Sequence, residues 1–154
     1  MFEDPDIQKA LEDYRDIIDS NKSGPSLSQY KVKKPWGYEI WLDMNPFYVF
    51  KLIHMKKGFK SSLQLHKKKI EANFVIKGKA KVLIQNGHGM EMEEKIIEAG
   101  SGWCVPVGKK HRVTAITSYT ALEVSTPHLD DVVRLEDDND RRDGKVRGEH
   151  TKKL

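Results

Sequence analysis

Two short stretches of the sequence bring together side-chain types that bind transition metals. In the first, Gln64 and His66 are two residues apart, and Glu71 follows. In the second, the turn Pro106-Val107-Gly108 is followed by His111. Two imidazoles, a carboxylate and an amide oxygen suit a divalent cation and leave coordination positions for water or substrate. The sequence therefore predicts a metal site formed by Gln64, His66, Glu71 and His111.

Strand geometry explains how these four side chains can meet. Side chains two residues apart on a β-strand point to the same face, so Gln64 and His66 project together. Glu71 comes from the next predicted strand, and the Pro/Gly turn brings His111 to the start of another. Short β-type runs separated by Gly, Pro and Asn predict an antiparallel sandwich or barrel. These runs are residues 36–42, 47–55, 61–66, 70–77, 79–85, 92–98, 102–105, 111–117 and 120–125.

The chain of 154 residues divides into three predicted parts. Residues 1–30 form an N-terminal extension, in which Asp4-Pro5 is a helix start signal. Residues 31–136 are expected to be one β-barrel domain. Residues 137–154 are almost all polar or charged and are expected to form a C-terminal tail. The apolar stripe of the predicted N-terminal helix consists of Ile7, Leu11, Tyr14 and Ile18.

Composition excludes several classes of protein. Charged residues make up 32% of the chain, and no apolar run approaches the length of about 20 residues that a membrane span needs. The first residues, Met1-Phe2-Glu3-Asp4, lack the basic and apolar regions of a signal peptide. Cys104 is the single cysteine, so an intramolecular disulfide is impossible. We therefore expect a cytoplasmic protein without a membrane partner.

The net charge of +4 is concentrated in the middle of the chain. Residues 31–81 carry thirteen lysines against three acids, Glu39, Asp43 and Glu71. Such a segment can bind nucleic acid, a membrane surface or a phosphorylated small molecule, although a solvated face accounts for most of these lysines. Few aromatic residues are interleaved with the lysines, which disfavours nucleic acid as a partner.

The two stretches resemble the two sequence motifs of the cupin superfamily. The matching positions are Gly58, His66, Glu71 and Gly78 in the first motif and Gly100, Pro106, Gly108 and His111 in the second. Most cupins have a histidine at the position of Gln64, whereas Gln-x-His is typical of type II phosphomannose isomerases. The resemblance implies an all-β cupin double-stranded β-helix, a jelly-roll barrel, with one divalent metal ion. Zinc is the metal that the family suggests, and the ligands would also hold manganese, iron, cobalt or nickel.

The similarity to this family covers residues 31–141. Lys34-Pro35-Trp36-Gly37 is similar to its Arg-Pro-Trp-Gly strand, and residues 122–137 are similar to its C-terminal signature. The resemblance places Arg134 and Lys69 in catalysis and Lys34 and Arg141 in substrate binding. The family sequence Arg-x-Glu-His-Trp reads Lys69-Ile70-Glu71-Ala72-Asn73 here. A lysine point charge thus replaces a planar arginine, and an alanine replaces a histidine.

The resemblance implies a metal-dependent aldose–ketose isomerase of a phosphorylated sugar, such as mannose 6-phosphate. The metal would stabilise an enediolate, with Lys69 or His54 as candidates for the group that moves the proton. The main alternative is a non-catalytic cupin that binds a sugar phosphate or a nucleotide sugar. A mononuclear iron dioxygenase on the same barrel is a third hypothesis. The apolar sheet face and the N-terminal stripe need covering, which predicts a homodimer.

Overall fold

A computed structural model describes residues 30–87, 89, 91–146 and 149–153 of the chain. Within these ranges the chain forms twelve β-strands. No helix in the described residues is long and apolar enough to cross a membrane. The predicted N-terminal helix lies outside the described residues.

The strands follow one another with short connections. They are β1 (Tyr30–Lys34), β2 (Gly37–Met44), β3 (Val49–Met55), β4 (Leu63–Leu65), β5 (Glu71–Lys77), β6 (Lys79–Gln85), β7 (Met92–Glu98), β8 (Gly102–Val105), β9 (His111–Ala115), β10 (Tyr119–Ser125), β11 (Val133–Glu136) and β12 (His150–Lys153). All nine predicted β-runs are confirmed as β2 to β10. The sequence analysis missed β1, β11 and β12, which lie in the charged flanks of the barrel.

The strands form two antiparallel sheets. The larger sheet has the order β12-β1-β2-β3-β10-β5-β8, and the smaller one has the order β11-β4-β9-β6-β7. Strands that are distant in sequence are neighbours, since β10 lies between β3 and β5. This arrangement confirms the prediction of an all-β jelly-roll barrel.

The inward faces of the strands are apolar at one end of the barrel and polar at the other. On β5, Glu71 and Asn73 are buried before Val75, while the alternate residues are exposed. On the antiparallel β10, Ala121 is followed on the same face by Glu123. Because the two strands run in opposite directions, their polar residues meet at one end. The apolar core fills the other end and consists of Trp36, Met55, Val75, Ala80, Val82, Ile97, Val113, Ala115, Tyr119 and Ala121.

Two motif glycines have conformational reasons to be glycine. Gly78 joins β5 to β6 with a φ of +87°, and a Cβ there would overlap the carbonyl oxygen of Ser118. Gly108 has a φ of +77°, and its N–H donates to the carbonyl oxygen of His66 at 2.7 Å. The turn before His111 is thereby held to the residue that directly follows β4, so the two motifs are joined by a backbone hydrogen bond.

The C-terminal segment packs against the barrel where the structure describes it. Strand β12 pairs with β1, and Glu149, which directly precedes β12, is buried. Arg141 forms ion pairs with Asp137 at 2.6 Å and with Glu149 at 3.2 Å. Part of the segment therefore packs on the barrel, whereas most of its other described charged side chains are exposed. The boundaries of the three predicted parts stay predictions.

The outer face of the larger sheet carries an exposed apolar patch. Phe74 and Ile76 on β5 and Val124 on β10 are each about half exposed, at 51%, 48% and 45%. Ile70, just before β5, is 51% exposed and extends the patch. Four neighbouring apolar side chains on one sheet face form a surface that water solvates poorly.

Candidate metal centre and cavity

Three of the predicted metal ligands converge inside the barrel. The potential ligand atoms of His66, Glu71 and His111 all lie within 4.8 Å of one another. The two Glu71 oxygens face one histidine each: Oε2 is 3.4 Å from His66 Nε2, and Oε1 is 3.5 Å from His111 Nε2. All three side chains are buried. The cluster has the spacing that a single metal ion can bridge.

Strand register brings the three residues together. His66 directly follows β4, Glu71 is the first residue of β5, and His111 is the first residue of β9. Strands β4 and β9 are paired, with Gln64 opposite His111. The two motifs are therefore adjacent through the smaller sheet, while Glu71 reaches the same point from the larger one.

Hydrogen bonds orient both histidines for metal binding. His66 Nδ1 donates to the carbonyl oxygen of Asp131 at 2.5 Å, and His111 Nδ1 donates to that of Lys109 at 3.1 Å. Each Nε2 is then left with its lone pair, and His66 Nε2 has no hydrogen-bond partner among the described residues. Imidazoles held through Nδ1–H are the usual arrangement of metal-ligating histidines. The residues present thus fit a divalent transition metal.

The protonation states suit the same role. Burial lowers the pKa of His111 below its ordinary value, even though Glu71 opposes this effect. Burial alone would raise the pKa of Glu71, but the charge of Lys69 holds it well below its usual range. Near neutral pH the site therefore offers a neutral imidazole and a carboxylate, which are the ligand forms that a metal requires.

Asp131 supports the site from outside it. Its carboxylate accepts hydrogen bonds from the backbone N–H groups of Lys67, Lys68 and Lys69, at 3.0, 2.6 and 2.8 Å. Desolvation opposes ionisation of Asp131, but these three donors hold its pKa below the ordinary value. One residue thus fixes the His66 ring through its carbonyl group and the loop before Glu71 through its side chain. The sequence analysis gave Asp131 no role.

Gln64 lies beside the triad with its amide nitrogen toward it. Gln64 Nε2 is 3.4 Å from His111 Nε2, and Gln64 Oε1 accepts a hydrogen bond from Ser62 Oγ at 2.7 Å. The oxygen that we expected to bind the metal is thus engaged with a hydroxyl group. Gln64 as a fourth ligand stays a prediction.

The triad borders a cavity of about 120 Å³ at the polar end of the barrel. Among the eight site residues predicted from the sequence, seven line this cavity. The eighth, His66, belongs to the triad but is not one of the residues that line the cavity. The seven are Lys34, Gln64, Lys69, Glu71, His111, Arg134 and Arg141. The structure therefore brings the predicted residues to one place, while their individual roles stay predictions.

Lys69 and Lys51 join the triad to a buried row of alternating charges. Lys69 Nζ lies 2.6 Å from Glu71 Oε2 and 3.3 Å from Glu123 Oε1. Lys51 Nζ lies 3.5 Å from Glu123 Oε1 and 3.5 Å from Glu39 Oε2. Each lysine of this row lies between two carboxylates, and each carboxylate lies beside at least one lysine. Pairing of this kind is what makes buried ions tolerable inside a protein.

The row fixes the charge of its members. Burial alone would lower the pKa of Lys69, but the neighbouring carboxylates, first Glu123, raise it above its ordinary value. Burial alone would raise the pKa of Glu39, but the lysines, first Lys51, lower it to about 2. Lys69 is therefore a permanent cation at neutral pH. Such a group supplies charge, not a basic lone pair.

The sequence analysis did not single out Glu39, Lys51 or Glu123. They could have been found from the alternation of inward and outward side chains along each predicted strand. Lys51 shares its face with Ile53, and Glu123 shares its face with Ala121, which belongs to the core. A charged residue in an inward position of a predicted strand indicates a buried ion, and a buried ion indicates a partner.

Glu149 neutralises two of the residues that we assigned to substrate binding. Lys34 Nζ lies 2.7 Å from Glu149 Oε2, and Arg141 donates to Glu149 Oε1 at 3.2 Å. Burial alone would lower the pKa of Arg141, but its hydrogen bonds to Asp137 and Glu149 raise it. Both cations thus lie at the cavity, but with a carboxylate of the C-terminal segment between them.

Of the two remaining candidate residues, Arg134 lies at the cavity and His54 does not. Arg134 lines the cavity, and its NH1 group donates to the carbonyl oxygens of Arg142 and Gly144. His54 is on the outward face of β3, where its ring stacks on Tyr38 with centroids 4.9 Å apart. The cavity is lined instead by its neighbours Ile53 and Met55. The hypothesis that His54 moves the proton is therefore wrong, because strand alternation turns it away from the site.

Known proteins resemble the chain in structure more than in sequence. No curated protein matches it. The solved structure of CapF from Staphylococcus aureus, a capsular polysaccharide assembling protein, is 18% identical with a TM-score of 0.62 over 71% of this chain and 34% of that chain. Oxalate decarboxylase from Bacillus subtilis is 21% identical with a TM-score of 0.63 over 71% and 31%. The chain spans about a third of the length of these two structures, and the similarity shows a shared cupin fold.

A third structure is comparable in size to this chain. KdgF from Halomonas sp. is 13% identical with a TM-score of 0.55 over 64% of this chain and 86% of that chain. The family model described as mannose-6-phosphate isomerase C-terminal matches residues 22–137, which include both motifs and the whole triad. This match covers well over half of the chain, so the protein belongs to the mannose-6-phosphate isomerase C-terminal family of cupins.

Proposed function

We propose that the protein is a metal-dependent aldose–ketose isomerase of a phosphorylated sugar, with mannose 6-phosphate and fructose 6-phosphate as the pair to test first. The observation that carries this proposal is the buried triad of His66, Glu71 and His111, which borders a cavity rich in cationic side chains. Family membership supports the same class of reaction.

The metal would be held by the triad, with Gln64 as the proposed fourth ligand. Zinc is the first candidate, because two imidazoles and a carboxylate are among its common protein ligands. When bound, the cation would act as a Lewis acid toward neighbouring oxygen atoms of the sugar. The Nδ1–H bonds of both histidines keep their rings oriented toward that position.

The charge of the cavity favours an anionic ligand. Its lining includes six basic side chains and three carboxylates. The basic residues are Lys34, Lys51, Lys69, Arg134, Arg141 and Lys145, and the acidic ones are Glu39, Glu71 and Glu123. Lys51 and Lys69 are paired with these carboxylates. A phosphate group would therefore bind at Arg134, whose Nε has no hydrogen-bond partner among the described residues, and at Lys34 and Arg141 after it displaces Glu149. We assign the phosphate to Lys34, Arg134 and Arg141.

Proton transfer between C1 and C2 of the sugar needs a base near the triad. Lys69 forms ion pairs with Glu71 and Glu123, which hold it in its charged form. Lys69 would therefore stabilise negative charge that develops on the sugar. Glu123 is the carboxylate in contact with Lys69 that is not a proposed metal ligand, and it lines the same cavity. We assign the proton transfer to Glu123.

We also propose that the protein is a homodimer. The exposed patch of Ile70, Phe74, Ile76 and Val124 lies on one sheet face, opposite the cavity side of the same strands. A two-fold axis through this face would bury the same patch of both copies.

The first prediction concerns the reaction. Zinc-loaded protein incubated with mannose 6-phosphate in D₂O should exchange the C2 proton for deuterium and form fructose 6-phosphate, both observable by proton NMR. Metal-free protein and His66→Ala, which removes a ligand, should show neither signal change. Absence of exchange by wild-type protein with confirmed metal content would reject this substrate and favour the non-catalytic sugar-phosphate-binding alternative.

The second prediction concerns the metal. Asp131→Ala should lower zinc affinity by about 10- to 100-fold, because the loop before Glu71 loses three backbone hydrogen bonds. The affinity is measured by competition with a chromogenic chelator. Asp130→Ala, at the exposed neighbouring position, serves as the control and should bind zinc like the wild type. Equal affinity in both variants would contradict the supporting role of Asp131.

The third prediction concerns the phosphate group. If Lys34 and Arg141 bind phosphate, the ligand must displace the Glu149 carboxylate that contacts both of them. Glu149→Gln removes the competing charge and should tighten the binding of inorganic phosphate by about tenfold in calorimetry. Glu136→Gln, at an exposed ion pair with Arg112, is the matched control. Unchanged or weaker phosphate binding by Glu149→Gln would remove these two residues from the phosphate site.

The fourth prediction concerns the oligomeric state. Wild-type protein at micromolar concentration should sediment as a species of about twice the chain mass of 17.7 kDa. Phe74→Lys places a charge in the patch and should shift the population to monomers. Phe47→Lys, at a more exposed site in the connection between β2 and β3, should leave the dimer intact. A wild-type protein that sediments only as a monomer would refute the proposal.

A further inference from the structure

The cavity contains buried N–H groups that the protein itself does not satisfy. Within the described residues, Asn73 Nδ2 and Arg134 Nε are buried without a hydrogen-bond partner. Trp103 Nε1 is buried beside the Tyr119 hydroxyl, without a hydrogen bond of good geometry to it. All three residues line the cavity beside the triad. A buried donor without an acceptor is costly and uncommon in native proteins. Two such donors and a poorly satisfied third around one cavity indicate that oxygen atoms of a bound ligand are their acceptors.

Two of these donors form a neighbouring pair. Asn73 on β5 and Trp103 on β8 are directly opposite each other in the sheet register. Residues in opposite positions of an antiparallel pair project side by side, with Cβ atoms about 5 Å apart. The adjacent residues Phe74 and Cys104 are exposed, so the pair points inward. Asn73 is 6% exposed, which means that its amide has almost no access to bulk water.

The pair is adjacent to the proposed metal ligands. Asn73 shares the inward face of β5 with Glu71, two residues away. The Trp103 ring lies 6.3 Å from the His111 ring, measured between centroids. A ligand that contacts the triad therefore passes within reach of both donors. The related family motif has tryptophan where this chain has Asn73, so the amide is a feature of this protein.

We propose that Asn73 and Trp103 form a two-donor site for the oxygen atoms of a polyhydroxylated ligand bound at the triad. This inference rests on the proposed function and specifies its substrate contacts. Both donors are neutral, which suits hydroxyl and carbonyl oxygens, whereas a phosphate is better matched by the charged Arg134. The pair therefore recognises the sugar part of the ligand, and the arginine recognises its anionic part.

A substrate-positioning role and a structural role predict opposite effects on stability. The amide N–H of a structural asparagine donates a hydrogen bond to the protein, so replacing that asparagine destabilises the fold. Here Asn73 Nδ2 has no acceptor among the described residues, and its replacement by an apolar side chain of similar size removes a desolvation cost. Asn73→Leu should therefore keep or raise the melting temperature while it weakens ligand binding. Such an opposition is typical of residues that serve binding at the expense of stability.

The fifth prediction is tested with zinc-loaded protein. Calorimetric titration should show that Asn73→Leu and Trp103→Phe each weaken mannose 6-phosphate binding by about tenfold. Binding of inorganic phosphate should be unchanged in both variants, because the anionic part is recognised elsewhere. The melting temperature of metal-free Asn73→Leu should not fall below that of the wild type. Asn86→Leu, at an exposed position in the hairpin between β6 and β7, is the control.

The outcomes separate this inference from the proposed function. If wild-type protein binds mannose 6-phosphate and Asn73→Leu binds it equally well, the two-donor site is refuted and the proposed function stands. If Asn73→Leu loses both binding and several degrees of melting temperature, the residue is structural and the inference is also refuted. If wild-type protein binds inorganic phosphate but not mannose 6-phosphate or fructose 6-phosphate, both the substrate assignment and the two-donor site are overturned.

Discussion

The buried carboxylate of Glu71 is the group on which the polar end of the barrel depends. It faces His66 and His111 with one oxygen each and forms a 2.6 Å ion pair with Lys69. Without these partners, a charge at this depth would cost several kcal/mol. The charge of Lys69 is balanced in turn by Glu123 on β10, so the ion pairs extend from one strand to another. The same carboxylate thus explains both the candidate metal centre and the row of charges around it.

The barrel tolerates this concentration of charge because its strands place apolar residues at one end of the space between the sheets and ionisable residues at the other. Strand β5 contributes Glu71 to the polar end and Val75 to the core, and β9 contributes His111 and Val113 in the same way. Antiparallel register aligns these transitions, so the core stabilises the fold while the other end stays available for chemistry.

Much of the fold and part of the site could be predicted from the sequence. Strand alternation and Gly/Pro turns located β2 to β10, and the spacing of His66, Glu71 and His111 predicted their convergence. Partners that are distant in sequence could not be predicted this way. Nothing local in the sequence places Asp131 under the loop of Lys67–Lys69, or Glu149 between Lys34 and Arg141. These contacts follow from tertiary packing, which single-residue patterns do not encode.

The position of Glu149 matters for how the protein is handled. This residue directly precedes the edge strand β12, so the segment that includes β12 is connected to the cavity by both a backbone pairing and a side-chain charge. A shortened version that ends before Glu149 would lack the nearest carboxylate of Lys34 and one of the two partners of Arg141, so sulfate or phosphate from purification buffers would bind there more readily. An affinity tag fused after β12 would lie next to the pairing of β12 with β1. Recombinant versions with different C-termini are therefore not interchangeable in ligand-binding measurements.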